Sequence, residues 1–319
     1  THLVDRPSLP YPRVASGASL APTSTMASLV QEVSLTNLPG FPSPLGVPRG
    51  FPSPDSLAQN NHIRWMHRCL ELANLAAGQT APNPMVGCVV LNEGLVVGEG
   101  FHPGAGQPHA EVFALAQAGD RARGATLYVN LEPCNHTGRT PPCTEAIIRA
   151  GVSQVVVGMV DPDPRVSGTG IERLRQAGIE VEVGVEEAAC QRLNEAFVQR
   201  VTHQRPLGLL KYAMTLDGKI AATSGHSAWV TGPMARTAVH QLRATCDAVV
   251  VGGNTVRRDN PRLTSHGYSS HNPLRVVMSR SLDLPSSANL WQTQEAPTVV
   301  FTASKADPER QQRLTVQGH

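Results

Sequence analysis

The stretch Ala125-Thr126-Leu127-Tyr128-Val129-Asn130-Leu131-Glu132-Pro133-Cys134-Asn135-His136-Thr137-Gly138-Arg139-Thr140-Pro141-Pro142-Cys143 decides how this 319-residue chain is read. It opens on an apolar run, 125–131, that predicts a strand. The strand delivers Cys134 behind Pro133. Pro141-Pro142 then predicts a helix over 141–150, since proline is tolerated in a first turn, and Cys143 falls at its start. Upstream, His109-Ala110-Glu111 heads a second helical segment, 109–118. One imidazole and two thiols are thus brought to the start of a helix or the end of a strand. At a helix N-terminus the partial positive charge favours the thiolate form of Cys143.

Two thiolates and one imidazole suit zinc, and three protein ligands leave a fourth position open, as catalytic sites require. Bound zinc lowers the pKa of water at that position to roughly 7. Deamination also needs a group that moves protons between water, ring nitrogen and departing ammonia. Glu111, two residues beyond His109, is placed for this. A His-x-Glu followed by Pro-Cys is the order found in zinc deaminases, where the Glu is not a ligand. The other reading of these residues is a closed, structural zinc site, with His102 or His136 as fourth ligand. His-Ala-Glu and Pro-Cys are weak signals singly; their order along alternating strands and helix starts favours the catalytic reading.

Outward from this centre, Met66, Cys69, Leu70, Ala73 and Ala77 fall at helical spacing over 62–77, with Gly78 as a stop. Runs 86–91 and 95–100 predict a hairpin. A strand at 155–160, a helix at 168–178 and a strand at 179–185 follow, and the alternation implies an α/β layer structure. The pattern restarts near Arg200. Strands are predicted at 207–214, 248–251, 274–278 and 298–302, the second of them buried, with a helix over 233–244. No closing helix or strand is evident between the last strand and His319. Residues 1–57, rich in Pro, Ser, Gly and Leu, read as a disordered extension. The expected organisation is that extension, a deaminase unit over 58–200, and a second unit over 205–319.

Composition narrows the partners. With 27 Lys and Arg against 25 Asp and Glu the net charge is +2, and no basic stripe or interleaved aromatics suggest nucleic acid. No apolar run approaches the ~20 residues of a membrane helix. Six cysteines dispersed along a long chain suit metal or catalytic use in a reducing compartment better than a disulfide framework. The cytoplasm is the expected location, with a plastid as the alternative.

Eight residues separate Cys134 from Cys143, where the common deaminase pattern has two. This long form resembles the deaminase domain of the bifunctional RibD family of riboflavin biosynthesis. Pro82-Asn83-Pro84-Met85-Val86-Gly87, Gly100-Phe101-His102 and Asp161-Pro162-Asp163-Pro164 agree with it. So do Leu210-Lys211-Tyr212-Ala213-Met214-Thr215-Leu216-Asp217-Gly218-Lys219, Ser227-Ala228-Trp229-Val230-Thr231 and Val251-Gly252-Gly253-Asn254-Thr255 further on. The resemblance implies a cytidine-deaminase-like α/β/α domain followed by a dihydrofolate-reductase-like α/β domain, the latter C-terminally incomplete. It implies hydrolytic deamination of 2,5-diamino-6-ribosylamino-4(3H)-pyrimidinone 5′-phosphate and NADPH-dependent reduction of the ribosyl group to ribityl.

By the same resemblance, His109, Cys134 and Cys143 hold Zn2+ and Glu111 shuttles protons. Asn83, His102 and His136 line the pyrimidine or phosphate pocket. Ala213, Trp229, Thr255 and Asp259 lie against NADPH; Ser227, Arg243 and Leu263 lie against the substrate. The partner implied is a small pyrimidine ribose phosphate, with no nucleic acid and no membrane, and a homo-oligomer is compatible with it. The chain departs from the family at His266, where an arginine is common. It also departs in showing, before His319, neither the family's acidic substrate contact nor its Gly-rich NADPH loop. Three alternatives remain at this level: a monofunctional deaminase with an inactive second domain, a nucleic-acid-editing deaminase, and a non-catalytic zinc protein.

Overall fold

The computed structural model describes residues 54–137 and 141–316, with side chains from residue 61 to residue 315. The expectation of disorder over 1–57 therefore lies outside the described residues, apart from its last few. Those begin a helix, α1 (Pro54–Asn74), which starts earlier than the 62–77 periodicity predicts. Met66, Cys69 and Ala73 form its buried face.

Five strands follow: β1 (Gly87–Asn92), β2 (Leu95–Phe101), β3 (Thr126–Val129), β4 (Gln154–Val157) and β5 (Glu180–Val183). They form one sheet in the order β2-β1-β3-β4-β5. The β1/β2 hairpin and the β1/β3 pair are antiparallel; β3, β4 and β5 run parallel. Helices α2 (Ala110–Ala118), α3 (Cys143–Ala150) and α4 (Thr169–Gln176) pack on one face, α1 and α5 (Glu187–Leu193) on the other. Coverage on both sides is why the central strands read as continuous apolar runs rather than alternating ones. Val89, Val90, Leu127, Val129, Val155, Val156 and Val157 are all fully buried.

Glycines set the distance between sheet and helices. A Cβ on Gly87 would stand 2.0 Å from the Cys69 carbonyl of α1, and one on Gly98 2.0 Å from the Ala114 carbonyl of α2. Only glycine permits such an approach. It draws the N-terminus of α2, with His109 as its N-cap residue, close to the sheet. The carboxyl ends of β3 and β4, where open α/β sheets bind ligands, lead into Leu131–Cys134 and Asp161 nearby.

Beyond α6 (Glu195–His203) the chain builds a smaller, all-parallel sheet of β6 (Ala248–Gly252), β7 (Leu274–Met278) and β8 (Thr298–Phe301). Helices α7 (Pro233–Ala244), α8 (Gly253–Asp259) and α9 (Pro308–Val316) accompany it. The α/β class is as expected, but three expectations are corrected. Residues 207–214 form no strand: they pair with no neighbour among the described residues, and Leu210 is 87% exposed. The strand at 248–251 is not buried. As β6 it lies at the edge of its sheet and alternates exposed with half-buried residues, Val250 being 62% exposed. A closing helix, α9, follows the last strand; its sequence is mostly polar, and Leu314 with Ala306 and Leu282 anchors it. Among the described residues no helix is long and apolar enough to cross a membrane.

Candidate active site

His109, Cys134 and Cys143 meet where α2, the loop after β3 and α3 converge. His109 Nδ1 lies 3.2 Å from Cys143 Sγ and 3.5 Å from Cys134 Sγ. The three donor atoms fall within 4.8 Å of one another, and among the described residues no other Cys, His, Asp or Glu joins them as a possible metal ligand. Pro142 is the N-cap residue of α3, so Cys143 opens the helix, two residues later than the predicted start at 141. The Cys143 backbone N–H points at Cys134 Sγ, 3.4 Å away.

The electrostatics of the three donors suit a divalent cation. The Cys143 thiol, with His109, holds Cys134 far below the usual thiol range, at about 4. Cys143 is pushed up, first by its hydrogen bond to the Cys134 sulfur and then by burial. The Cys134 side chain raises His109 against the opposing effect of burial. A divalent cation replaces the protons on these donors. Two sulfurs and one ring nitrogen within this span fit zinc, and a fourth position stays open.

The readings in which His102 or His136 closes the site find no support in the geometry. His102 has both ring nitrogens engaged: Nδ1 is 3.0 Å from the Pro108 carbonyl and Nε2 3.1 Å from Asn83 Nδ2. His136 is exposed and does not border the cavity described next; it is near enough to influence Asp161.

Beside the three donors lies a cavity of about 150 Å3. Glu111, in the first turn of α2, is 3% exposed and borders it. One of its oxygens, Oε2, is buried with no hydrogen-bond partner. A buried carboxylate oxygen without a partner costs free energy, which points to a ligand that satisfies it. Burial and then the Cys134 charge push the carboxyl up to about 7, within the range useful to a general acid and base.

The cavity also takes in residues that the sequence reading did not single out. Glu132 accepts backbone N–H groups of Asp161 (3.1 Å), Gly168 (2.9 Å), Gly170 (2.8 Å) and Ile171 (3.4 Å). It thereby fixes the loop that brings Asp161 to the cavity, where burial raises the Asp161 carboxyl. Pro84, Val86, Leu131 and Phe197 supply the apolar lining. Glu132 and Asp161 stood inside quoted motifs without a role of their own, and Phe197 carried no signal beyond its place in the chain.

The residues assigned to the second half are less gathered. Thr255 and Asp259 lie one turn apart on α8, after the carboxyl end of β6. Ala213 and Trp229 lie in the stretch between α6 and α7, which has no helix or strand. No hydrogen bond or ring contact joins them to α8, and Trp229 is 77% exposed under the Arg236 guanidinium, 4.3 Å from its ring centroid. Ser227 is exposed, and Leu263 is buried in the core with Val256 and Val277. Arg243 is half-buried, and its charge is felt by the rings of His240 and His266, whose centroids lie 4.0 Å apart with the planes tilted by 38°.

Comparison with known proteins finds matches for both halves of the chain. Residues 59–159 match the cytidine and deoxycytidylate deaminase zinc-binding region, and residues 206–317 match the RibD C-terminal domain. The riboflavin biosynthesis protein RibD of Aquifex aeolicus is 50% identical over 255 residues, 80% of this chain and 71% of that protein. The chain belongs to the RibD family. The RibD of a Synechocystis strain is 68% identical over 242 residues, 76% of this chain and 66% of that protein. A Thermotoga maritima crystal structure, titled a diaminohydroxyphosphoribosylaminopyrimidine deaminase/5-amino-6-(5-phosphoribosylamino)uracil reductase, superposes with a TM-score of 0.74 at 44% identity. It covers 79% of this chain and 73% of its own. The chain thus carries the two domains of a RibD protein, a deaminase and a reductase, whose cofactors are Zn2+ and NADPH, and its place is riboflavin biosynthesis.

Proposed function

We propose that the first half hydrolytically deaminates 2,5-diamino-6-ribosylamino-4(3H)-pyrimidinone 5′-phosphate, and that the second half reduces the ribosyl group of the product to ribityl with NADPH. The observation that carries the first step is the partnerless Oε2 of Glu111 beside three converged zinc donors at a ring-sized cavity. Zinc, when bound, supplies the acidity that makes water a nucleophile near neutral pH. Glu111 takes one proton from the attacking water and gives it to the ring nitrogen; it then takes the second from the new hydroxyl and gives it to the amino group as the C–N bond breaks. Water and the amino carbon thus become a carbonyl and ammonia. Asn83 and His102, hydrogen-bonded to each other, present polar edges to the ring. His136, outside the cavity lining, is assigned to the phosphate side through its family alone.

The second half is assigned through its family, with Ala213, Trp229, Thr255 and Asp259 toward NADPH and Ser227, Arg243 and Leu263 toward the substrate. A guanidinium such as Arg243 suits a ribose phosphate. A reducing compartment, cytoplasmic or plastid, suits a protein that needs free thiolates for its metal. Incubating the chain with the pyrimidinone phosphate, with and without NADPH, separates the two steps by product mass. Exchange of an amino group for oxygen reports deamination, and gain of two hydrogens reports reduction. Release of ammonia from single-stranded nucleic acid but none from the pyrimidine phosphate would overturn the proposal.

A further inference from the structure

We propose that Phe197 is the stacking wall of the deaminase cavity: the planar face against which the pyrimidine lies, and the side chain that limits the site to one six-membered ring. This rests on the deaminase reading above. The polar groups that border the cavity, among them Glu111, Asn83, His102 and Asp161, are suited to address the edge of a heterocycle. A flat ring also needs an apolar face. Of the apolar residues that border the cavity, Pro84, Val86, Leu131 and Phe197, one is aromatic.

Phe197 also differs from the others in origin. They come from the strands and strand-end loops of the first sheet, whereas Phe197 stands on α6, after the last strand of that sheet. Its neighbours on the helix face pin it. Asn194, three residues before, is buried and bonds both the N–H (2.8 Å) and the carbonyl (2.9 Å) of Met85. Arg200, three residues after, donates to the Pro82 carbonyl at 2.9 Å and lies 5.6 Å from the Phe197 ring centroid. Residues three apart share a helix face. This face therefore grips the 82–85 loop on either side of Phe197, and that loop brings Asn83 and Pro84 to the cavity. A wall fixed before binding loses little freedom when ligand arrives. The cavity of about 150 Å3 matches the volume that holds a single benzene ring in a protein interior, so a fused bicyclic base exceeds it while Phe197 stands.

The test uses the full, zinc-loaded chain carrying Glu111→Gln, which blocks turnover. Calorimetric titration with 2,5,6-triamino-4-pyrimidinone, the substrate ring without its sugar, reads ring affinity, and 2-aminopurine reads size exclusion. Adding Phe197→Ala weakens the pyrimidinone at least about tenfold, Phe197→Tyr changes it less than about threefold, and zinc content stays the same. 2-Aminopurine binds the alanine variant alone. Phe197→Leu keeps bulk without a flat face and decides the matter if the alanine variant does not fold: weakened ring binding supports stacking. Unchanged affinity in the alanine or leucine variant overturns the proposal, as does a Glu111→Gln parent that binds no pyrimidinone. Ammonia release by wild type from the pyrimidine phosphate is scored separately. Ring binding through Phe197 without release breaks the deaminase reading alone; release with an indifferent Phe197 breaks the stacking assignment alone.

Discussion

The two sheets of this chain are built from the same kind of segment and end differently. In the first, helices cover both faces, the central strands are fully buried, and four reactive side chains from three elements converge, three of them bordering the cavity. In the second, β6 alternates exposed with half-buried residues, Val250 and Phe301 stay more than half exposed, and the apolar stretch 207–214 pairs with nothing among the described residues. Side chains are held to the tolerance that chemistry needs only where packing from two sides fixes the backbone beneath them. The residues assigned to the first half meet, His136 excepted, while those assigned to the second are spread over α7, α8 and two irregular stretches.

That contrast can be broken or sharpened experimentally. The largest effect is expected at the metal. Cys143→Ala loses zinc and lowers the unfolding temperature of the first half by roughly 10 °C or more, because zinc-binding free energy is folding free energy there. Calorimetry with metal analysis checks it, and chelation of the wild-type chain moves the same transition. Full zinc occupancy in the variant would show the ligand set to be wrong. Next, Leu127→Ala in β3 costs about 2–5 kcal/mol in denaturant titrations, as for a large-to-small change in a closed core.

Glu132→Ala follows. It strands backbone donors from four residues of the loop at Asp161 and costs on the order of 3 kcal/mol. Glu132→Gln restores part of that stability and still raises KM for deamination, since the loop that places Asp161 is held less firmly. An unchanged KM in the glutamine variant would reduce Glu132 to a structural role. The smallest effect lies on the second sheet: Val250→Thr shifts stability by less than about 0.5 kcal/mol. A loss comparable to Leu127→Ala would mean that this face is covered in solution.

The same contrast explains what could be read in advance. His109, Glu111, Cys134 and Cys143 were legible because metal chemistry demands those residue types in that order. The central strands of the first sheet were legible within a few residues because burial on both faces leaves a continuous apolar run. Glu132 stood in the quoted Glu-Pro-Cys run, but its role gave no warning, since its partners lie 29 to 39 positions further on and exist only once β3 and β4 are paired. Phe197 was an ordinary aromatic until α6 brought it to the cavity. The 207–214 segment has strand composition, but a strand exists by virtue of its neighbour. Helix α9 was missed because little more than Leu314 marks its buried side.

The central claim is an open, three-ligand zinc centre with a separate proton carrier. Zinc content and ammonia release, measured together on wild type and Glu111→Gln, test it most directly. One zinc per chain is predicted in both, with ammonia from the pyrimidinone phosphate in wild type and a rate at least about 100-fold lower in the variant. Loss of zinc from Glu111→Gln, or turnover equal to wild type, would contradict it.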